Sequence, residues 1–126
     1  MLHQLGAASA GTVSNACSSG FRVESAANTA LLWETDNGDT DDDDNDASTV
    51  LVADTYHVYR IDCTDTSAVK FYVDDTLVGT SDMSTTLSAA EAKVQPYFNV
   101  SKAKSSANTG TGTMYIDYVK IFQSRS

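Results

Sequence analysis

The sequence predicts an all-β domain, and three observations carry that expectation. Short segments in which apolar and polar residues alternate with period two recur from Phe21 onward, turn-forming residues separate them, and a helical apolar period is nowhere sustained. At 126 residues the chain has room for one domain with one core.

Taken in order, residues 21–24 and 30–35 are the first two expected strands, and 55–63 is the third. In the third, His57, Tyr59, Ile61 and Cys63 fall on one face and Tyr56, Val58, Arg60 and Asp62 on the other, so both faces are partly apolar. Within 68–73, Val69, Phe71 and Val73 alternate cleanly with Lys70 and Tyr72, giving one core face and one wetter face. Asp74-Asp75 then links this strand to 76–79 as a two-residue hairpin turn, with aspartate standing where glycine is preferred. Residues 84–92 predict one short helical turn, and Pro96 puts the strand expected at 94–101 at an edge or a bulge, because proline cannot donate to a ladder. A glycine loop at 110–112 leads into a last strand at 113–122, with Met114, Ile116 and Tyr118 on one side and Tyr115, Val119 and Ile121 on the other.

The beginning of the chain differs. Residues 5–19 are dominated by Ala, Gly, Ser, Thr and Asn, with too few large apolar groups to offset the entropy of ordering the backbone. Residues 1–19 are therefore expected to form a flexible arm and residues 20–126 the folded domain.

Charge is concentrated in one place. The formal net charge is −9, but seven of the 17 acidic residues lie in 36–46 with no Lys or Arg among them, which leaves ten acids against eight bases elsewhere. A surface of that kind has no basic stripe to neutralise phosphates, so no nucleic-acid partner is expected. No apolar run approaches the ~20 residues of a spanning helix, and the start Met1-Leu2-His3-Gln4 is not a basic, apolar signal, so neither a membrane nor an export signal is expected. Two cysteines, Cys17 and Cys63, exclude a disulfide scaffold and an all-thiolate zinc site. They are either bridged or two buried thiols, the commoner outcome.

The string YHVYRIDCTDTSAVKFYVDDTLVG at 56–79, QPYFNV at 95–100 and MYIDYVKIF at 114–122 resemble the C-terminal half of concanavalin A-like lectin and glucanase domains, which carry a YRI strand, a VKFYVDG hairpin and a closing DYVRV strand. FRVE at 21–24, ETDNG at 34–38, the acidic linker and IDYV at 116–119 together resemble members of that family encoded among the structural proteins of tailed bacteriophages. The resemblance implies an antiparallel jelly-roll β-sandwich. It is well carried over 55–122 and looser over 20–54, and with about seven strands after the arm the jelly roll is expected to be shortened on its N-terminal side.

Glycosidases of this fold set two carboxylates about 5–5.5 Å apart in their retaining members, and the resemblance implies a Glu-x-Asp-x-x-Glu string for them. No such string exists here: Glu24, Glu34 and Glu91 are the only glutamates, and Glu34 with Asp36 lacks a third member. His57 is mid-strand with no Gly-x-Ser-x-Gly elbow in the chain, so it reads as a strand-face histidine among tyrosines. No catalytic residue is assigned and no enzyme activity is expected.

For a metal, Asp39, Asp41 and Asp43 alternate and would aim oxygens at one Ca²⁺, against the simpler reading of a solvated acidic loop. The pattern is not an EF-hand, since Asp44 and Val50 stand where its glycine and bidentate glutamate belong. Asp117 is a calcium candidate only through the resemblance, which implies a last-strand aspartate ligating a structural calcium. No cofactor is required on this reading, and structural calcium is the single candidate. Trp33, Tyr56, Tyr59, Tyr72, Tyr97, Tyr115 and Tyr118 are enough aromatics for a sugar-stacking platform, but nothing in their order selects a binding set.

The expectation is therefore a non-enzymatic virion structural protein, a capsid decoration or cement subunit or a fibre-associated one, on the phage particle surface. It is expected to be a homo-oligomer, a trimer as first expectation, whose neighbour is the major capsid protein or another virion protein. An extracellular lectin-like module binding a cell-surface glycan is the second reading, and an inactive truncated glucanase-type fragment the third.

Overall fold

Alternation of apolar side chains builds the half of the molecule that the sequence describes best. Val69, Phe71 and Val73 point inward and are buried, while Lys70 between them is exposed. The structure, a computed structural model, describes residues 18–23, 30–36, 41–52, 54–87, 96–98 and 113–122. Among them are six strands, β1 (Ser18–Arg22), β2 (Ala30–Asp36), β3 (Asp41–Val50), β4 (Tyr59–Asp62), β5 (Val69–Val73) and β6 (Thr76–Ser81), a short 3₁₀ turn at Thr66–Ala68, and one helical turn, α1 (Ser84–Leu87). The strands make two antiparallel sheets, β1-β2-β3 and β4-β5-β6, each in chain order. The described part is thus all-β with almost no helix.

The sheets face each other, with β1 over β4 and β3 over β6. Phe21 of β1 and Phe71 of β5, both fully buried, meet edge to face at 5.7 Å between ring centroids. Trp33 of β2 stacks on Phe71 at 4.8 Å and 25°, and its indole lies flat against the backbone of Gly79 in β6. A Cβ at Gly79 would overlap that indole, so glycine is required by the close approach of the two sheets. Leu31, Ala47, Val69, Val73 and Met83 complete the buried cluster, and the Thr35 and Ser81 hydroxyls bond across its rim at 2.9 Å.

The far face of the first sheet is covered too. Register sets Gly20 opposite Glu34 and Arg22 opposite Leu32, and Arg22, Leu32 and Glu34 are all buried there. Arg22 Nη1 and Glu34 Oε2 lie 3.0 Å apart as an ion pair across the β1–β2 ladder.

The expected hairpin forms at Asp74-Asp75. Val73 pairs with Thr76, and both aspartates take the left-handed conformation at φ 49° and 64°, as a type I′ turn demands. A left-handed non-glycine residue costs roughly 1–2 kcal/mol, and glycine brings back part of that as chain entropy. Asp75→Gly is therefore expected to stabilise the domain by about 0.5 kcal/mol, read as a higher urea midpoint at unchanged slope; a lower midpoint would show that the turn is not strained.

Five expectations are altered. The acidic stretch, expected as a loop, contributes Asp41–Val50 as β3, because pairing with β2 satisfies a row of backbone groups and outweighs the poor strand propensity of aspartate. Its register shifts twice, and Ser48 has φ 53°, so β3 is bulged and not a clean alternation. Only Tyr59–Asp62 of the expected strand 55–63 is strand. Residues 113–122, expected as the closing strand, have no ladder partner among the described residues and are almost entirely exposed. β1 begins at Ser18, with Ser19 fully buried, whereas residues 1–17 lie outside the described residues. The strand expected at 94–101 is described only at 96–98, where it is exposed and irregular.

Candidate functional site

The polar groups that are most tightly organised sit where the chain enters β4. Because Tyr59 pairs with Val73, Asp74 falls opposite Val58, and its left-handed φ turns the carboxylate back over residues 57 and 58. Oδ1 accepts the Val58 N–H at 2.9 Å, Oδ2 accepts from His57 Nδ1 at 2.7 Å, and the Asp74 N–H donates to the Val58 carbonyl at 2.9 Å. An ionised carboxylate only accepts, which fixes the proton on Nδ1 of His57. Nε2 is then left facing inward, buried and with no hydrogen-bond partner among the described residues. The imidazole lies 6.3 Å from the ring of Tyr59, which in turn packs on Phe21 at 5.2 Å. Burial of Tyr59, reinforced by the charge on Asp74, raises its phenol above the ordinary range.

The hydrogen bonds from His57 and then Val58 hold the Asp74 carboxyl below the usual carboxylate range. Asp62, Asp65 and Asp82 are depressed in the same direction, each by bonds from the residue two positions on, Thr64, Ser67 and Ser84. A depressed folded pKa contributes stability that is present above the unfolded value, about 3.9, and is lost as pH falls through the folded value. The melting temperature is accordingly expected to drop on acidification below about pH 4, and Asp74→Asn to lower it at neutral pH while flattening part of that acid limb. An acid limb identical in the variant would remove Asp74 from the account.

On the outer face of the second sheet the Arg60 guanidinium lies 3.6 Å above the ring of Tyr72, with Asp62 3.6 Å from it. Tyr56 and Val58, which lead into β4, are 71% and 48% exposed and add aromatic and apolar surface beside it.

The residues singled out from the sequence are not gathered at one point. Asp39 lies outside the described residues, Asp41 and Asp43 fall in β3 with Asp41 directly opposite Asp36, and Asp117 is exposed in the unpaired segment 113–122. Among the described residues, no three His, Cys, Asp or Glu side chains converge as a metal site. Glu34 is engaged with Arg22. Cys63 carries a thiol and not half of a disulfide, its pKa pushed up to about 11 by burial, and Cys17 lies outside the described residues. Sequence reading placed His57 among tyrosines but missed Asp74 as its partner; the signal was available in the hairpin, since a turn aspartate ends up opposite whatever precedes the neighbouring strand.

No family model matches the chain, and neither a curated protein nor a solved structure matches it.

Proposed function

We propose that this chain is a non-enzymatic structural subunit of a tailed-bacteriophage virion, a capsid decoration or cement protein or a fibre-associated subunit, working as a homo-oligomer on the particle surface through a shortened concanavalin A-like jelly roll. The observation that carries the reading is the apolar surface left open in the single chain: Tyr115, Ile121 and Phe122 are 78%, 68% and 88% exposed. Surfaces of that kind mark association sites. The VKFYVDD hairpin forms as the resemblance implies, and two antiparallel sheets packed around aromatic residues are in keeping with an all-β sandwich. A subunit held by neighbours gains stability by mass action, which suits a small sandwich with open sheet edges. The major capsid protein or another virion protein is the neighbour, and a trimer the first oligomer to test. Mass spectrometry of gradient-purified particles is expected to find the chain in fixed ratio to the capsid protein; its absence from particles would overturn the reading.

Exposed Tyr56, Tyr115 and Tyr118 favour a second reading, a lectin-like module whose tyrosines stack on a glycan. Saturable binding on a glycan array, lost in Tyr56→Ala, would move the assignment there. Calcium held by Asp39, Asp41, Asp43 or Asp117 acts on this reading as a structural ion: Asp41 faces Asp36 across the ladder, and a divalent cation relieves such like-charge pairing. Melts with calcium and with chelator that coincide would remove it.

A further inference from the structure

We propose that residues 113–122 of one copy add as an antiparallel strand to the free edge of β4 in a second copy, so that subunits of the oligomer inferred above are joined by strand exchange. Both halves of the contact are present in every chain, and no ladder joins them among its described residues. β4 has β5 as its one ladder partner among the described strands, and none of them pairs with its other side. The segment 113–122 has no ladder partner among the described residues. Open strand edges and unpaired extended segments complete each other through backbone hydrogen bonds.

The exposed area is that of an interface. Tyr115, Tyr118 and Phe122 are 78%, 58% and 88% exposed, which amounts to roughly 450 Å² for rings of this size. Ile116, Val119 and Ile121 add to it at 47%, 48% and 68%. A standard interface buries about 800 Å² per partner, so a segment exposed on both faces can supply a large part of one.

Charge and side-chain type select β4 and a register. The edge of β3 carries Asp41–Asp44 in sequence and would repel Asp117, whereas β4 offers Arg60, which is partly exposed. Setting Asp117 opposite Arg60 in antiparallel sense brings Ile116 opposite Ile61 and Tyr118 opposite Tyr59 on the core side. On the outer side it brings Val119 opposite Val58. Ile116, Tyr118, Val119 and Ile121 then meet Ile61, Tyr59, Val58 and Tyr56, and the charged pair is complementary.

The occupant is a second copy because the segment is apolar on both faces. A strand at the rim of a two-sheet sandwich is covered by the facing sheet on its inner side only, so Tyr115, Val119 and Ile121 would stay bare in a lone chain. Exchange between copies lets a neighbour cover them and satisfies every copy when the ring closes.

The test uses Val58→Cys and Val119→Cys placed in separate chains, each also carrying Cys17→Ser and Cys63→Ser, mixed and oxidised. The expected product is a disulfide between the two different chains at twice the chain mass. A link that forms only when both cysteines are in one chain, as a faster-running monomer, or no link at all, would overturn the proposal. Light scattering on the otherwise unaltered protein provides an independent arm: Val119→Lys with Ile121→Lys is expected to convert an oligomer into a monomer with its far-ultraviolet dichroism retained. A wild-type monomer at micromolar concentration, or a lysine variant of undiminished mass, counts against strand exchange. Cross-linked oligomers from a protein absent from particles would sink the virion reading and leave strand exchange standing; a particle-bound protein without the cross-link would do the reverse.

Discussion

Truncating Trp33 to alanine is expected to cost about 4 kcal/mol, a large part of the 5–15 kcal/mol that holds a domain of ordinary stability. The indole is buried, stacks on Phe71 at 4.8 Å and lies against Gly79, so it is the side chain through which each sheet touches the other's centre. Its removal leaves a cavity that the backbone of β6 cannot fill. Gly79→Ala tests the same contact from the opposite side, with an expected loss of about 2 kcal/mol from overpacking. In the Trp33→Ala background the added methyl enters vacated space, and its cost is expected to vanish. Urea unfolding followed by far-ultraviolet dichroism measures the three variants against the wild type, since Trp33 is the single tryptophan and its fluorescence is lost with it. Equal costs for Gly79→Ala in both backgrounds would show that the close approach of the sheets lies elsewhere.

The second large effect is expected at the ion pair on the far face of the first sheet. Arg22 and Glu34 side chains are 10% and 11% exposed, and their contact is 3.0 Å. Removing one partner takes away a charge that offsets the burial of the other, so Glu34→Ala is expected to cost about 3 kcal/mol. Replacing both, as Arg22→Met with Glu34→Leu, is expected to cost far less than the sum, because the two desolvation penalties disappear together. A Glu34→Ala loss below about 1 kcal/mol would identify the pair as a solvated surface contact. Glu34 is also the glutamate that a glycosidase reading of the sequence would choose. Measured turnover of a β-glucan that disappears in Glu34→Gln at unchanged melting temperature would replace this structural role with a catalytic one.

What the sequence made legible follows from whether the relevant forces are local. Val69, Phe71 and Val73 announce their own strand because alternation is a property of neighbours in the chain, and Asp74-Asp75 announces its turn for the same reason. β3 was hidden because aspartate has little strand propensity of its own; its state is decided by the open edge of β2, which the residue order does not display. The Arg22–Glu34 and His57–Asp74 contacts both depend on register between strands, so each residue looked unremarkable alone. Residues 113–122 have strand-like alternation, yet alternation states only that a partner would be welcome and does not supply one within the described residues. The order of strands within the sheets was likewise beyond alternation, which is blind to how segments are connected.

That order has a consequence for how the molecule forms. Each sheet takes its strands consecutively, so every ladder closes through a neighbouring hairpin and can form early, at small loop-closure cost. The contacts between Phe21 or Trp33 and Phe71, in contrast, join distant parts of the chain. During synthesis the first sheet emerges with Phe21 and Trp33 uncovered and waits for β4, β5 and β6 before that face can close. Docking of two preformed meanders is thus the slow, late event, and the interval before it is when the nascent chain is most exposed to aggregation.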